Sequence, residues 1–146
     1  MVYDYFVASR WRNKDDVQRL VAGLRDQGKR VYSFVEAAES VYAEYGMDST
    51  GNPEVLMAFF ENLPAWRAHP LVRRIFDQDM DALRKSESFV LLLPAGKSAH
   101  IEAGTAYGLG KRLIQIGNQK AAESLYLIFD RVSPDIDAFL SNPDVR

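Results

Sequence analysis

The feature that most constrains this chain is a run of apolar residues, FVLLL at positions 89–93, inside a predicted strand over residues 88–94. A strand that packs only one face on a core alternates apolar and polar residues, whereas this run is apolar on both faces. Strands of that kind lie in the middle of a sheet that helices cover on both sides. The run therefore predicts an α/β domain with this strand at the centre of its sheet.

Helical and extended patterns alternate along the rest of the chain. Further strands are predicted over residues 3–8, 30–35, 112–117 and 124–130. The first predicted helix covers residues 13–28, with Asn13 as its N-cap. Two helices are predicted on either side of a loop marked by Gly46, Gly51 and Asn52. Three more are predicted over residues 70–85, over residues 99–109 and after Pro134. Five strands alternating with helices predict a parallel sheet with right-handed crossovers. The most economical arrangement is a flavodoxin-like (Rossmann-like) three-layer sandwich of strand order 2-1-3-4-5, with residues 1–146 forming a single domain.

The composition excludes several classes of partner. The 18 basic and 20 acidic residues leave a net charge of -2, which provides no field to attract nucleic acid or an anionic membrane. No stretch approaches the ~20 apolar residues that span a bilayer. The chain has no cysteine and only two histidines, which suits a reducing cytoplasm and excludes thiolate and histidine-rich metal sites. We therefore expect a cytoplasmic protein that binds a small molecule without metal or cofactor, although carboxylate-bound magnesium stays open.

The predicted topology places a ligand crevice at the carboxyl ends of the first and third strands, where the direction of winding reverses. Residues 8–11 would then face residues 94–102. Ala8 and Ser9 are the candidate substrate contacts on the first side of this crevice.

The second side carries Gly96, Ser98 and His100 at the start of a predicted helix. The free N–H groups and the positive dipole end of such a helix suit an anion such as phosphate. The alternative interpretation is an ordinary helix for which Ser98 is the N-cap.

Two carboxylates are candidates for chemistry. Glu102 lies about one turn into the helix among alanines and a glycine that are too small to cover it, and these small neighbours leave room for a ligand. Asp79 lies three residues after Phe76 and four before Leu83, so it points along an apolar helical face. Burial would raise the pKa of Asp79, whereas Glu102 lies beside a helix N-terminus and is either functional or simply solvated. Such a pair matches glycosyl transfer, in which one group attacks the anomeric carbon and another handles the proton of the leaving group.

Three segments resemble the nucleoside 2-deoxyribosyltransferase superfamily, which includes N-glycosidases of nucleoside 5′-monophosphates. They are YFVA at positions 5–8, FDQD at 76–79 and, most specifically, SAHIEAGTAYGLGK at 98–111. The resemblance implies that Glu102 is a nucleophile that forms a covalent glycosyl-enzyme intermediate. It also implies that Tyr5 orients this glutamate by a hydrogen bond, and that Asp79 lies near the nucleobase or its proton transfer.

One departure from the family pattern bears on the substrate. The transferases typically carry an aspartate and a glycine in the loop before the glutamate, whereas this loop has no acid between Pro94 and Glu102. A loop with Gly96, Ser98 and His100 suits an anion better, and the related hydrolases hold the 5′-phosphate with serine in this region. We therefore expect an enzyme that hydrolyses the N-glycosidic bond of a nucleoside or its 5′-monophosphate. The alternatives are base exchange on free deoxynucleosides and a non-catalytic nucleotide-binding or sensing module.

The resemblance further implies a homo-oligomer, because members of the superfamily complete their sites across subunit contacts. The apolar residues of the middle segment are candidates for such an interface, and the alternative is ordinary core packing: Phe59, Phe60, Leu63 and Trp66.

Overall fold

A computed structural model of the chain describes residues 1–48 and 53–145. Its strands are β1 (Tyr3–Ala8), β2 (Val31–Ser33), β3 (Ser86–Leu92), β4 (Arg112–Ile116) and β5 (Arg131–Ser133). Its helices are α1 (Lys14–Asp26), α2 (Phe34–Glu44), α3 (Pro53–Glu61), α4 (Pro70–Arg84), α5 (Lys97–Gly108) and α6 (Ile136–Ser141). Gly51 and Asn52, which the sequence predicts in a loop, lie outside the described residues.

All strand pairs are parallel, and the order is β2-β1-β3-β4-β5. The predicted flavodoxin-like order is confirmed. The apolar run lies in β3, which pairs with β1 on one side and with β4 on the other. Its residues from Phe89 to Leu91 are fully buried, as two-sided coverage by helices requires.

The two faces of the sheet pack against different helices. Tyr5 and Val7 of β1 point to the face that α1 and α6 cover, called here the α1 face. Phe6 and Ala8 point to the opposite face, covered by α4 and α5 and called here the α5 face. Because side chains alternate along a strand, neighbouring residues of β1 serve opposite sides of the molecule.

Helix α5 packs closely on its face because its inward side chains are small. Ala99, Ala103 and Ala106 are each at most 2% exposed and belong to the same buried cluster as the sheet residues Phe89 and Leu91. This close approach brings Glu102, between two of these alanines, near the edge of the same face. The small-residue pattern of the sequence therefore sets the depth at which the glutamate lies.

Two predicted strand boundaries are wrong. Residues 124–128 form a 3-10 helix rather than the last strand, and β5 follows it as a three-residue edge strand. The side chains of Leu125 and Leu127 are 72% and 88% exposed, so the apolar pattern there does not mark a buried strand. The predicted second strand also ends early, because Phe34 and Val35 already belong to α2.

No helix in the described part of the chain has the length and apolar content needed to cross a membrane.

Candidate active site

The loops after β1 and β3 are tied together by Asn13. Its Nδ2 donates to the hydroxyl of Ser9 at 3.0 Å and to the carbonyl of Pro94 at 2.6 Å. Its Oδ1 accepts from Nε of Arg10 at 3.2 Å. Asn13 was predicted to cap α1, but its side chain makes no such bond. It instead joins the two sides of the predicted crevice, and it brings Arg10, a cation that the sequence did not single out, beside the loop that precedes α5.

Ala8 and Ser9, predicted as substrate contacts, have buried side chains. Ala8 is fully buried on the α5 face. The hydroxyl of Ser9 donates to the carbonyl of Leu92 at 2.7 Å, and the residue is 7% exposed. Both side chains pack or brace the ends of β1 and β3, so a contact from either to a substrate would come through the backbone.

The start of α5 is open. Gly96 is the N-cap residue, and no side chain in the described chain caps the helix. Ser98 lies in the first turn with an exposed side chain, so the interpretation of Ser98 as the N-cap is wrong. A Cβ added at Gly96 would meet nothing within 4 Å. No side chain therefore takes up the free N–H groups of this turn, and whether they bind an anion stays a prediction.

His100 braces this loop. Its Nδ1 lies 2.7 Å from the carbonyl of Gly96, and its Nε2 is hydrogen-bonded to the hydroxyl of Tyr126. A carbonyl only accepts, so Nδ1 carries a hydrogen, and in the neutral ring Nε2 accepts from the tyrosine. With both nitrogens engaged, His100 holds the loop before α5 and has no ring nitrogen left for a ligand.

Glu102 and Asp79, which the sequence singled out, lie close enough to interact on the α5 face. Burial raises the pKa of Glu102 to about 8, and the negative charge of Asp79 adds to this shift. Burial also raises the pKa of Asp79, to about 6, against a hydrogen bond that lowers it. Burial therefore outweighs the dipole of α5 at Glu102, and the pKa of each of the two carboxyls is raised.

Glu102 has an unsatisfied atom. Its Oε2 is buried and has no hydrogen-bond partner in the described structure. A buried carboxyl oxygen without a donor carries a free-energy cost, and such a cost is characteristic of groups that act on a ligand.

Tyr32 is the site residue that sequence reasoning missed. Its hydroxyl donates to Oδ1 of Asp79 at 2.6 Å. Burial and the charge of Asp79 raise the pKa of Tyr32 well above its usual value, so the phenol stays a donor. Its ring stacks on Phe6 with the centroids 4.9 Å apart and is held edge-on by Tyr3.

Tyr5 does not reach Glu102, contrary to the role that the resemblance implies. It lies on the α1 face, where its hydroxyl donates to the Pro143 carbonyl and contacts Oδ1 of Asp144, both at 3.1 Å. Burial raises the pKa of Tyr5 to about 12. The residue anchors the C-terminal segment of the described chain.

Tyr5 also lines a cavity of about 860 Å³ at the amino-terminal ends of the strands, far along the sheet from the crevice. Its other lining residues include Asp4, Lys29, Arg112 and Asp144. The aspartates here pair with cations, Asp4 with Arg30 and Asp144 with Lys29, and the pKa of each is lowered. Satisfied, ionised carboxylates of this kind are typical of structural ion pairs, so the crevice is the better candidate site.

Two neighbouring carboxyl groups with raised pKa values, Asp79 and Glu102, can exchange a proton with each other. Around neutral pH the two groups together hold about one proton, because burial and the charge of one carboxyl on the other oppose ionisation of both. Such a pair provides one acid and one base, or a nucleophile and its proton acceptor, on one face of the sheet.

Comparison with solved structures identifies the fold. A 2-deoxyribosyltransferase from the psychrotolerant bacterium Bacillus psychrosaccharolyticus matches with a TM-score of 0.61 at 18% identity, covering 91% of this chain and 87% of that one. The Clostridium botulinum CMP N-glycosidase BcmB matches with a TM-score of 0.52 at 18% identity, covering 97% and 98% of the two chains. No protein-family model matches the sequence, and no curated protein does. The resemblance seen in the sequence motifs is thus confirmed at the level of the fold.

Proposed function

We propose that this chain cleaves the N-glycosidic bond of a nucleoside or nucleoside 5′-monophosphate, with Glu102 as the nucleophile. The observation that carries the proposal is the buried, unpaired Oε2 of Glu102 beside a second, partly buried carboxyl, Asp79. Two carboxyls of unequal acidity are the machinery of glycoside cleavage through an oxocarbenium-like transition state. The shared fold with a 2-deoxyribosyltransferase and a CMP N-glycosidase supports this chemistry.

The proposed first step moves one proton and exchanges one bond for another. The proton on Glu102 passes to Asp79, and the resulting Glu102 carboxylate attacks C1′. The bond from C1′ to the base nitrogen breaks, its electron pair leaves with the base, and Asp79 returns the proton to that base. The sugar is now esterified to Glu102.

The second step releases the sugar. Asp79, again ionised, removes a proton from water as the water oxygen attacks C1′, and the ester bond to Glu102 breaks. The pair again holds one proton, as it did at the start. A free base in place of water would give base exchange, which is the transferase alternative.

A 5′-phosphate has a candidate site at the start of α5. The open first turn after Gly96, the exposed hydroxyl of Ser98 and the guanidinium of Arg10 supply amide, hydroxyl and cationic donors. Asn13 connects Arg10 to the Pro94 carbonyl, only two residues before Gly96. These donors favour a monophosphate over a free nucleoside.

Chromatography of nucleosides and their 5′-monophosphates, incubated with and without a second free base, tests the proposal. We expect free base to appear from monophosphates, with Glu102→Ala and Glu102→Gln lowering the rate on the order of a thousandfold or more. Asp79→Asn should cost about a hundredfold. Asp77→Asn is the matched control, because Asp77 lies on the same helix with its side chain 61% exposed.

Each other outcome rejects part of the proposal. Base exchange without net release would replace hydrolysis by transfer. Base release unchanged in Glu102→Ala would reject the nucleophile, and no turnover of any substrate would favour a binding module.

A further inference from the structure

We infer that Tyr32 is a positioning residue that decides where the single proton of the Asp79–Glu102 pair rests. Its hydroxyl holds Asp79 as the charged member and leaves the proton on Glu102 until a substrate is bound. This inference rests on the proposed function for its catalytic meaning, but the placement of the proton can be measured without any substrate.

The hydrogen bond is geometrically fixed. Tyr32 lies in β2, is 7% exposed, and places its hydroxyl 2.6 Å from Oδ1 of Asp79 on α4. Stacking on Phe6 and edge contact with Tyr3, whose ring centroids lie 4.9 Å and 5.5 Å from that of Tyr32, hold the ring from β1. A side chain clamped in this way keeps its donor aimed at the aspartate.

In the described part of the chain, no group other than Tyr32 stabilises the charge of Asp79 by a hydrogen bond. The titratable groups that face Asp79 are Tyr32 from β2, Tyr42 from α2 and Glu102 from α5, and none of them is a cation. Among the described residues, Tyr32 is the one donor bonded to either carboxyl. A short hydrogen bond to a charged oxygen stabilises the ionised form, so the charge resides on Asp79 rather than on Glu102.

The arrangement keeps the nucleophile neutral in the resting protein. Glu102 ionises only when its proton moves to another base, and Asp79 is the charged group that acts on it. A substrate that donates a hydrogen bond to the unpaired Oε2 of Glu102 would stabilise the carboxylate there and favour this transfer. Tyr32 thereby couples the reactivity of Glu102 to occupation of the site.

The test is a carboxyl ¹³C NMR titration of the unliganded protein, comparing wild type with Tyr32→Phe, which keeps the ring and its stacking. We expect the pKa of Asp79 to rise by about one unit, because the hydrogen bond to its charged form is lost. The proton fraction on Glu102 at pH 7 should fall at the same time, since the two carboxyls compete for one proton. A purely structural role would move both resonances alike or neither.

Tyr5→Phe is the matched control, because it removes a buried tyrosine hydroxyl from the α1 face and should leave both titrations unchanged. Asp79→Asn gives a second route: removing the charge should lower the pKa of Glu102. Unchanged titrations in Tyr32→Phe, an equal shift in Tyr5→Phe, or an unaltered Glu102 in Asp79→Asn would each overturn the inference.

Cleavage assays, set beside the titrations, distinguish failure of this inference from failure of the proposed function. If the titrations move as expected but no nucleoside or nucleotide is cleaved, the proton placement stands and the proposed function fails. If Glu102→Ala abolishes cleavage while Tyr32→Phe leaves the titrations unchanged, the function stands and the role of Tyr32 fails. If both hold, the acid limb of kcat/KM, near pH 6 in the wild type, should move upward by about one unit in Tyr32→Phe.

Discussion

Burial of an acid in the folded protein must appear as a dependence of stability on pH. The pKa of Glu102 rises from 4.5 to about 8 on folding, so the folded state holds its proton over a range in which the unfolded chain has lost it. The contribution of this carboxyl to stability is therefore complete below pH of about 4.5 and is lost as pH rises through about 8. Asp79 acts in the same direction over a lower range, with its pKa raised from 3.8 to about 6.

Glu102→Gln should consequently stabilise the protein in alkaline solution. The amide stays neutral and nearly isosteric, so we expect its free energy of unfolding to exceed that of the wild type by on the order of 2 kcal/mol at pH 8.5 and to differ little at pH 4. Urea unfolding at the two pH values measures this difference. The exposed Glu61→Gln serves as the control, and an advantage of equal size at both pH values would show that Glu102 is not a buried acid.

The two carboxyls could be chosen from the sequence because their neighbours were informative. Asp79 interrupts an apolar helical face, and Glu102 is surrounded by small residues, so each position contradicts its surroundings. Tyr32 does not: an aromatic residue in a strand is the ordinary case. Its role follows from which face of the sheet it points to, and alternation along β2 does not say which face that is. The resemblance, not the strand pattern, predicts Tyr5 beside Glu102, and the structure turns its side chain to the α1 face instead.

At the scale of elements, the start of α5 serves two purposes that can be separated. An acidic residue in the first turn of a helix is favourable because it opposes the positive end of the dipole, and the same charge repels a bound phosphate. An acidic side chain introduced in this turn should therefore stabilise the folded protein and weaken the binding of a phosphate.

Ser98→Asp should raise the melting temperature by about 2 °C, and it should lower kcat/KM for a nucleoside 5′-monophosphate roughly tenfold or more. Turnover of the free nucleoside should change little, since it has no phosphate to repel. Ser98→Asn is the uncharged control: its amide can still donate to the phosphate, so it should lower monophosphate turnover less than Ser98→Asp and leave the melting temperature nearly unchanged. Monophosphate turnover that survives Ser98→Asp intact would place the phosphate elsewhere.

The order of the elements could be predicted because β3 has no polar face and the helical periods between strands are regular. The elements at the edge of the sheet could not be predicted in the same way. Residues 124–128, SLYLI, have the apolar composition of a strand, but they form a 3-10 helix whose leucines are exposed. The true β5 pairs only three residues with β4, Ile114 with Arg131 being the first pair, and so short a strand leaves almost no periodic signal.

At the scale of the whole molecule, several large aromatic side chains of the middle segment and α4 stay exposed, although Leu56 joins a small buried cluster and Phe60 and Leu63 are half-buried. Phe59 and Trp66 are 42% and 46% exposed, and Phe76 on α4 is 52% exposed. Trp66 and Phe76 flank a groove of about 270 Å³, and Arg67 and Arg73 lie over their rings. Contiguous exposed aromatics rimmed by charge are typical of protein interfaces.

We therefore expect the chain to self-associate through this surface, as the resemblance also implies. Sedimentation at micromolar concentration should give at least twice the 16.5 kDa mass of one chain, and Trp66→Glu should return it to a single chain by placing a charge in the apolar contact. Leu127→Glu is the matched control, because Leu127 is more exposed, at 88%, but lies on the separate 124–128 segment. A wild type that sediments as a single chain would refute self-association, whereas dissociation by both variants would mean that the interface is elsewhere. Because Phe76 lies one helical turn before Asp79, a partner seated on the groove would lie next to the Asp79–Glu102 pair, and under the proposed function Trp66→Glu should then also weaken nucleotide turnover.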